Sequence, residues 1–210
     1  GQAQQRGLTL NRADDRAESD GSRKAMERAS NGRQVVVVSS GDPGVCAMAA
    51  AVFGAVEAGP DAWRDLDVRV LPGVTAMLAA AARAGAPLGH DFCAINLSDN
   101  LKPWAIIERR LRLAAAADFA MAFYNPRSKA RPEGFAKTLH ILQDACGDAR
   151  PVIFARAIST DEESLHVVPL TECKPEMADM RTMVLMGSST TRIIERAGAP
   201  IVYTPRSLQP

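Results

Sequence analysis

A glycine-rich turn from Ser39 to Gly44 contains the first residues whose types are suited to binding a ligand. It reads Ser-Ser-Gly-Asp-Pro-Gly and follows the run QVVVVS, which predicts a buried strand from Gln34 to Ser39. Gly41 and Gly44 let backbone approach a ligand closely, and Asp42 can accept hydrogen bonds from one. An Asp-Pro pair before a helix is also typical of an N-cap, so this turn alone indicates either a cap or a binding loop.

A second turn of the same kind runs from Pro72 to Ala76 and follows the run DVRVL, a predicted strand from Asp67 to Leu71. Thr75 in this turn can cap the following Ala-rich helix or bind a ligand. Ligands of open α/β sheets bind beyond the carboxyl ends of the strands, so the two turns predict one crevice. Neither turn is a phosphate loop, because the G-x-x-x-x-G-K-[ST] lysine is missing, and the G-x-G-x-x-G pattern is absent too.

Strands and helices alternate along the chain, which predicts an α/β fold. Turn signals around residues 86–91 predict a linker. We expect a polar N-terminal segment at 1–34, a first α/β domain at 35–89 and a second at 90–206. The first two predicted helices are 17–29 and 45–56, and a third, Ala-rich helix follows Pro72-Gly73 and ends near residue 85. A fourth is capped by Ser98, Asp99 or Asn100, has Pro103 in its first turn and ends near residue 116. A fifth begins at 132 with Phe135, Leu139 and Leu142 on one face. The other predicted strands are 92–97, 118–124, 151–156, 164–168 and 182–186.

Composition excludes several classes of protein. A net charge of +1 gives no overall reason for nucleic-acid binding, and no apolar run approaches the roughly 20 residues of a membrane helix. The start shows no apolar signal segment. The four cysteines form no CxxC pair, so no metal site is expected and a reducing compartment is favoured. The sequence predicts a soluble cytoplasmic protein.

Four segments together resemble one family. They are SSGDPGVCAMAAAVF, LPGVTAMLAAAARAGAPLGHDFCAINLSDNLKPW, MAFYNPRSKARP and GSSTTR. The Gly-Asp-Pro and Pro-Gly-Val-Thr-Ala turns are similar to those of the tetrapyrrole methylases, and INLSDNLKPW and FYNPRSKARP resemble its precorrin-3B C(17)-methyltransferases. The resemblance covers residues 33–206. It implies two α/β domains, each a sheet flanked by helices, a cofactor cleft between the domains, and a homodimer.

The resemblance also implies a cofactor, S-adenosylmethionine, which the family binds in a folded conformation and mostly through backbone groups. Motif by motif, it assigns cofactor contacts to both turns and to the end of the strand DFAMAFY. Weaker candidates follow the strands PVIFAR and TMVLM. The residues so assigned are Ser40, Gly41, Asp42, Thr75, Ala76, Tyr124, Asn125, Ala157, Gly187 and Ser188.

The reaction implied is methylation of precorrin-3B at C(17) with ring contraction to precorrin-4, in cobalamin biosynthesis; the anaerobic pathway uses a cobalt-containing substrate. Methyl transfer is an in-line displacement that alignment can catalyse. Ring contraction needs a general base for the C(20) hydroxyl, and the candidates are Asp42 and His90, although a lone histidine is more often structural. The substrate's carboxylates require cations, and Arg127, Lys129 and Arg131 are candidates unless their loop is merely solvated.

One departure from the family concerns its first strand and Gly-x-Gly-Pro-Gly turn, which match nothing in residues 1–34. Two alternatives therefore stay open. The chain can be an inactive remnant or partner subunit of the same fold, or another precorrin methylase such as the precorrin-4 C(11) enzyme, against which FYNPRSKARP argues. A nucleotide-binding oxidoreductase is remote because the glycine fingerprint is missing.

Overall fold

Residues 18–100, 102–147 and 149–207 are described by a computed structural model of the chain. Residues up to Thr75 form one unit, and residues from Ala76 onward form a second. The sequence prediction placed a domain boundary at residues 89–90 instead.

The described part of the first unit includes helix α1 (Glu18–Ser30), where the sequence predicts a helix. Its end is also as predicted, because Gly32 adopts a left-handed φ of +77°. The Arg33 N–H donates to the Arg28 carbonyl at 3.2 Å, and the Gly32 N–H donates to the Ala29 carbonyl at 3.0 Å. These two bonds satisfy carbonyls of the last turn that would otherwise lack partners.

A small apolar core holds the first unit together. Helix α2 (Ala49–Ala58) follows α1, and a 3-10 helix (Asp61–Asp65) follows α2. Each contributes one buried side chain to the core: Met26 from α1, Val52 from α2 and Trp63 from the 3-10 helix. The sequence predicts α2 four residues too early, since residues 45–48 form turns.

The two strands predicted for this unit, Gln34–Ser39 and Asp67–Leu71, are wrong. Neither segment forms a ladder with any described residue. Val36 and Val38 are 83% and 86% exposed, so the valine run is not buried on both faces. A run of β-branched residues favours a strand only when a neighbouring strand is there to pair with it, and composition alone does not specify that neighbour.

The second unit contains two sheets, as an α/β fold predicts. The strands are β1 (Gly85–Ala86), β2 (Phe92–Asn96), β3 (Ala120–Tyr124), β4 (Pro151–Arg156), β5 (Ser164–Pro169), β6 (Thr182–Met186), β7 (Arg192–Ile194) and β8 (Ile201–Tyr203). One sheet has five strands in the order β2-β3-β6-β4-β5, and the other has three in the order β1-β8-β7. Every strand predicted from residue 92 to residue 186 is confirmed within two residues.

The direction of β6 determines which residues lie together at one end of the strands of the larger sheet, and each of these two ends is called an edge below. Strands β2 and β3 are parallel, whereas β6 runs antiparallel to both of its neighbours, β3 and β4. Thr182, at the start of β6, therefore pairs with Arg156 at the end of β4. Met186, at the end of β6, pairs with Met121 and Val152 near the starts of β3 and β4. The carboxyl end of β6 thus lies at the edge opposite to the carboxyl ends of β2, β3 and β4.

The described residues of the second unit also form three α-helices, α3 (Ala76–Ala84), α4 (Trp104–Ala116) and α5 (Gly134–Ala145). Two 3-10 helices, Leu170–Glu172 and Pro175–Met177, lie between the last strands of the larger sheet. Helix α3 packs on β1, β6 and β8, which explains why the unit begins ahead of it. Helix α4 begins directly after Pro103 without a side-chain cap. The cap predicted from Ser98, Asp99 or Asn100 is therefore wrong. No helix in the described ranges is long and apolar enough to cross a membrane.

The main core lies where α4 and α5 pack on the five-stranded sheet. Phe135, Leu139 and Leu142 of α5 are buried, which confirms the one-face spacing predicted from the sequence. The rings of Phe135 and Phe154 meet edge to face, with centroids 6.0 Å apart. This core fixes α5 and the sheet, and with them the loop that joins β3 to α5.

The valine run offers a direct test of this fold. Backbone amides of Val35, Val36, Val37 and Val38 should exchange with solvent deuterium rapidly, because none of them donates to a ladder. Amides in the fully buried β3 and β6 should exchange slowly and serve as the internal reference. Hydrogen exchange followed by mass spectrometry makes the comparison. Protection of residues 35–38 equal to that of β3 would instead restore the strand predicted from the sequence.

Candidate active site

The two glycine turns of the first unit are joined by one carboxylate. Asp42 Oδ1 accepts the N–H of Gly44 at 2.8 Å, and Oδ2 accepts the N–H of Gly73 in the second turn at 3.0 Å. A side chain at Gly73 would meet the Gly41 carbonyl oxygen at 2.2 Å, so only glycine fits there. The turns therefore lie in contact, as expected, although a carboxylate brings them together and strand ends do not.

These contacts change the interpretation of Asp42. Helix α2 begins seven residues later with Met48 at its N-cap, so the capping alternative is wrong. Hydrogen bonds from the N–H groups of Gly73 and Gly44 hold the pKa of Asp42 below its ordinary value. A carboxylate with both oxygens occupied and a lowered pKa is poorly suited to act as a general base at neutral pH. Its two hydrogen bonds instead connect the two loops.

The neighbours of Asp42 differ in exposure. Ser40 and Gly41 are exposed, and Gly41 has a left-handed φ of +75°. Thr75 is buried and stands directly before α3, in the position of a cap, while Ala76 is the exposed first residue of that helix. Backbone at these turns is therefore accessible, as a loop that binds a ligand through backbone groups requires.

In the second unit, the predicted residues at strand ends share one edge of the sheet. Tyr124 ends β3 and pairs with Asn96 at the end of β2. Asn125 and Ala157 follow β3 and β4 directly and have left-handed φ values of +51° and +49°. Left-handed backbone at residues other than glycine costs energy and is common at functional sites. Asn96 was not among the residues singled out from the sequence, although it stands within the motif INLSDN.

Ion pairs hold the loop that follows Ala157. The Ala157 N–H donates to the Arg181 carbonyl at 3.0 Å. Glu163 accepts the Ser159 N–H at 2.7 Å and pairs with Arg83 of α3 at 2.6 Å. The hydrogen bond from Ser159, with a further contribution from Arg83, holds the pKa of Glu163 below its ordinary value. No sequence pattern predicts this Arg83–Glu163 pair, because the two residues are 80 positions apart.

The expectation that Gly187 and Ser188 join the same pocket as Tyr124 is wrong. They follow β6, whose antiparallel direction puts them at the opposite edge of the sheet, where the Gly187 N–H donates to the Pro151 carbonyl at 2.9 Å. The Ser188 N–H donates to Thr191 Oγ1 at 2.9 Å, within the motif GSSTTR. A side chain at Gly187 would come within 2.5 Å of Thr191, so this glycine serves packing.

The hydroxyl of Thr191 continues this motif into a second strand region. Thr191 Oγ1 lies 2.7 Å from Thr204 Oγ1, which donates to the Pro87 carbonyl at 2.6 Å. Since the Thr204 hydrogen is used for Pro87, Thr191 donates to Thr204, and the chain of bonds has one direction. The motif GSSTTR therefore joins the loop after β6 to the residues that flank β1 and β8, and its role is structural.

His90 also lies away from the Tyr124 edge. It precedes β2 by two residues, so it stands at the amino end of that strand, roughly 15 Å of strand length from Asn96. Its Nδ1 accepts the N–H of Asp91 at 2.6 Å. In the neutral ring the proton is then on Nε2. This placement supports the structural interpretation of His90 rather than the catalytic one.

The predicted substrate cations follow Asn125 immediately. Arg127 and Arg131 are half-buried and Lys129 is exposed. Ser128 and Arg131 close the loop, since the Arg131 N–H donates to the Ser128 carbonyl and to its hydroxyl, both at 3.1 Å. The Arg127 Nε is buried and has no hydrogen-bond partner among the described residues. A buried cationic donor without a partner is unfavourable and is suited to an anionic ligand.

Comparison with known proteins agrees with the fold. Residues 3–174 match the family model of the Tetrapyrrole (Corrin/Porphyrin) Methylases, a match that begins ahead of α1. A crystal structure of the methyltransferase CobJ superimposes with a TM-score of 0.89 at 60% identity, covering 95% of this chain and 81% of that one.

Three curated relatives are similar over most of this chain. The precorrin-3B C(17)-methyltransferase of a Sinorhizobium species is 54% identical over 92% of the chain and 77% of the relative. The cobalamin biosynthesis protein CobIJ of Mycobacterium tuberculosis is 44% identical over 88% of the chain, which spans only 36% of that protein. The probable cobalt-factor III C(17)-methyltransferase of Salmonella typhimurium is 38% identical over 87% of the chain and 73% of the relative. On the family match and these identities, the chain belongs to the tetrapyrrole methylases and is a methyltransferase.

Proposed function

We propose that this chain transfers a methyl group from S-adenosylmethionine to C(17) of precorrin-3B, with ring contraction to precorrin-4, in cobalamin biosynthesis. The observation that carries the proposal is the identity to a precorrin-3B C(17)-methyltransferase across most of both chains. The identity to a cobalt-factor III enzyme is lower, which favours the cobalt-free substrate. The two motifs that resemble this group of methylases, INLSDN and FYNP, also meet at one sheet edge through Asn96 and Asn125.

The residues of the chain fit the proposed cofactor. S-adenosylmethionine supplies an electrophilic methyl group on a sulfonium, so the protein needs to bind and align it rather than form a covalent intermediate. Gly41 and Gly73 are both exposed in their turns. At the sheet edge of the second unit, Tyr124, Asn125 and Ala157 supply a ring, an amide and a strained backbone. The proposed cofactor contacts are Ser40, Gly41, Asp42, Thr75, Ala76, Tyr124, Asn125 and Ala157.

Substrate binding is assigned to the loop after Asn125. Precorrin-3B carries several carboxylates, and the guanidinium of Arg127 has a buried donor without a partner. Arg131 and Lys129 add charge on the same loop. In α5, which follows the loop, the ammonium of Lys137 lies 5.5 Å from the centre of the Trp104 ring at the start of α4. Guanidinium groups bind carboxylates in two-point contacts, which would orient the macrocycle as well as attract it.

We also propose that the chain acts as a homodimer in the cytoplasm. Strand β2 forms an edge of the five-stranded sheet, and such an edge can pair with or be covered by another chain. Phe92, Ile106 and Leu113 expose 40%, 42% and 59% of their surface around β2 and α4, which offers an apolar face to a second copy. The four cysteines are free thiols, as a reducing compartment favours.

Replacing Asp42 tests its role in joining the two turns. Asp42→Ala should weaken binding of S-adenosylhomocysteine by about tenfold at neutral pH, because both N–H groups lose their acceptor and the two turns separate. Asp42→Asn should lie between, since one amide oxygen can still accept one of the two bonds. Isothermal calorimetry measures the affinities. Asp67→Ala, which removes an exposed carboxylate elsewhere in the same unit, should leave binding as it is. Equal affinity in Asp42→Ala and the unaltered chain would remove Asp42 from the site.

The loop after Asn125 can be tested through its two arginines. Replacing Arg127 and Arg131 together by Ala should raise the KM for the tetrapyrrole by about tenfold and leave the affinity for S-adenosylhomocysteine unchanged. The difference should shrink as salt is added, since Arg131 is partly exposed. The matched control is the double replacement of Lys174 and Arg206, exposed cations outside that loop and outside α4, which should change neither value. A normal KM in the Arg127 and Arg131 variant would show that the loop is solvated and does not bind the substrate.

A further inference from the structure

Asn96 makes two contacts that decide the orientation of a neighbouring side chain. It ends β2 and pairs in register with Tyr124 of β3. Its Oδ1 accepts the N–H of Ser98 at 2.9 Å and the side-chain Nδ2 of Asn125 at 3.2 Å. Both bonds are partly buried, so water competes with them less than at an open surface.

The backbone of Ser98 removes the ambiguity of the two amides. An amide side chain can present either its oxygen or its nitrogen, but a backbone N–H can only donate. The Asn96 atom that faces Ser98 must therefore be oxygen. Since the same oxygen contacts Asn125, the Asn125 atom that faces it must be the nitrogen. The carbonyl oxygen of Asn125 is then directed away from Asn96, and no described residue donates a hydrogen bond to it.

The backbone of Asn125 is also constrained. Its φ of +51° is left-handed, and the residue stands directly before Pro126, where extended backbone is preferred. Asparagine tolerates the left-handed region better than most side chains, which is consistent with its presence here. Backbone strain that the surrounding structure maintains is common where a group must be held in one position. Main chain and side chain of Asn125 are thus both fixed at the edge where β2 and β3 end.

We propose that Asn96 is a positioning residue, which orients Asn125 so that its Oδ1 accepts an N–H or O–H group of the bound ligand. The inference rests on the proposed function, since it needs a ligand at this sheet edge. Two ligands of that reaction carry such donors: the amino and hydroxyl groups of S-adenosylmethionine and the pyrrole N–H groups of the tetrapyrrole. An acceptor held in place loses less conformational entropy on binding than one that must first rotate.

The test compares variants that differ only in what they offer to Ser98 and Asn125. Asn96→Ala removes the acceptor and should weaken one ligand about tenfold, with a smaller change in kcat. Asn96→Asp still accepts from both donors and should recover most of the lost affinity. Asn125→Asp places a carboxylate oxygen against Asn96 Oδ1 and should be as weak as Asn96→Ala. Asn100→Ala, the same replacement at an exposed position of the adjoining loop, is the matched control.

Two measurements separate the possible ligands. Calorimetry with S-adenosylhomocysteine reports on the cofactor, and the KM for precorrin-3B reports on the tetrapyrrole. Loss in the first assigns the Asn125 contact to the cofactor, and loss in the second alone assigns it to the substrate. Thermal unfolding of each variant shows whether the fold is retained, and the comparison of Asn96→Asp with Asn125→Asp stands even if Asn96→Ala unfolds.

The outcomes distinguish this inference from the proposed function. If the unaltered chain binds both ligands and Asn96→Ala binds them equally well, the inference is wrong and the proposed function stands. Equal losses in Asn96→Asp and Asn96→Ala would also overturn it, because a carboxylate preserves both acceptor contacts. If the unaltered chain binds neither ligand, both proposals are wrong.

Discussion

The direction of β6 is the constraint on which the candidate site of the second unit depends. This strand lies between β3 and β4 and runs antiparallel to both, so its own carboxyl end is separated from theirs by the full height of the sheet. One edge consequently collects Asn96, Tyr124, Asn125 and Ala157, with polar side chains and left-handed backbone. The other edge collects His90, Gly187 and Ser188, whose hydrogen bonds are used within the fold. The residues that we propose for ligand binding and the residues whose hydrogen bonds support the fold therefore lie at opposite ends of the sheet.

A different interaction has the same importance in the first unit. The described residues up to Thr75 form no sheet, and the two glycine turns therefore depend on Asp42 to hold them together. A carboxylate that accepts two backbone N–H groups does this well, because its charge strengthens both bonds. The hydrogen bonds from Gly73 and Gly44 in turn lower the pKa of Asp42. Asp42 thus shapes the two loops that we propose as cofactor contacts.

Much of this could be predicted from the sequence, and the failures have physical causes. Buried strands such as β3 and β4 were found because apolar runs bounded by turns describe them well, and the one-face spacing of α5 was equally clear. The valine run at residues 35–38 has the same composition, but strand formation depends on a partner that no local pattern specifies. Gly187 and Ser188 were misplaced because the sequence does not state the direction of β6. Asn96 was missed although its position at the end of a parallel strand, within INLSDN, was a usable signal.

The central claim is that this member of the tetrapyrrole methylases acts on C(17) of precorrin-3B. The most direct measurement incubates the purified chain with precorrin-3B and S-adenosylmethionine carrying a carbon-13 methyl group, and locates the label by NMR. A single labelled methyl at C(17) of a ring-contracted product is expected, with less turnover on the cobalt-containing substrate. Label at another carbon of precorrin-3B, or a chain that binds both ligands and transfers no methyl group, would contradict the proposed function.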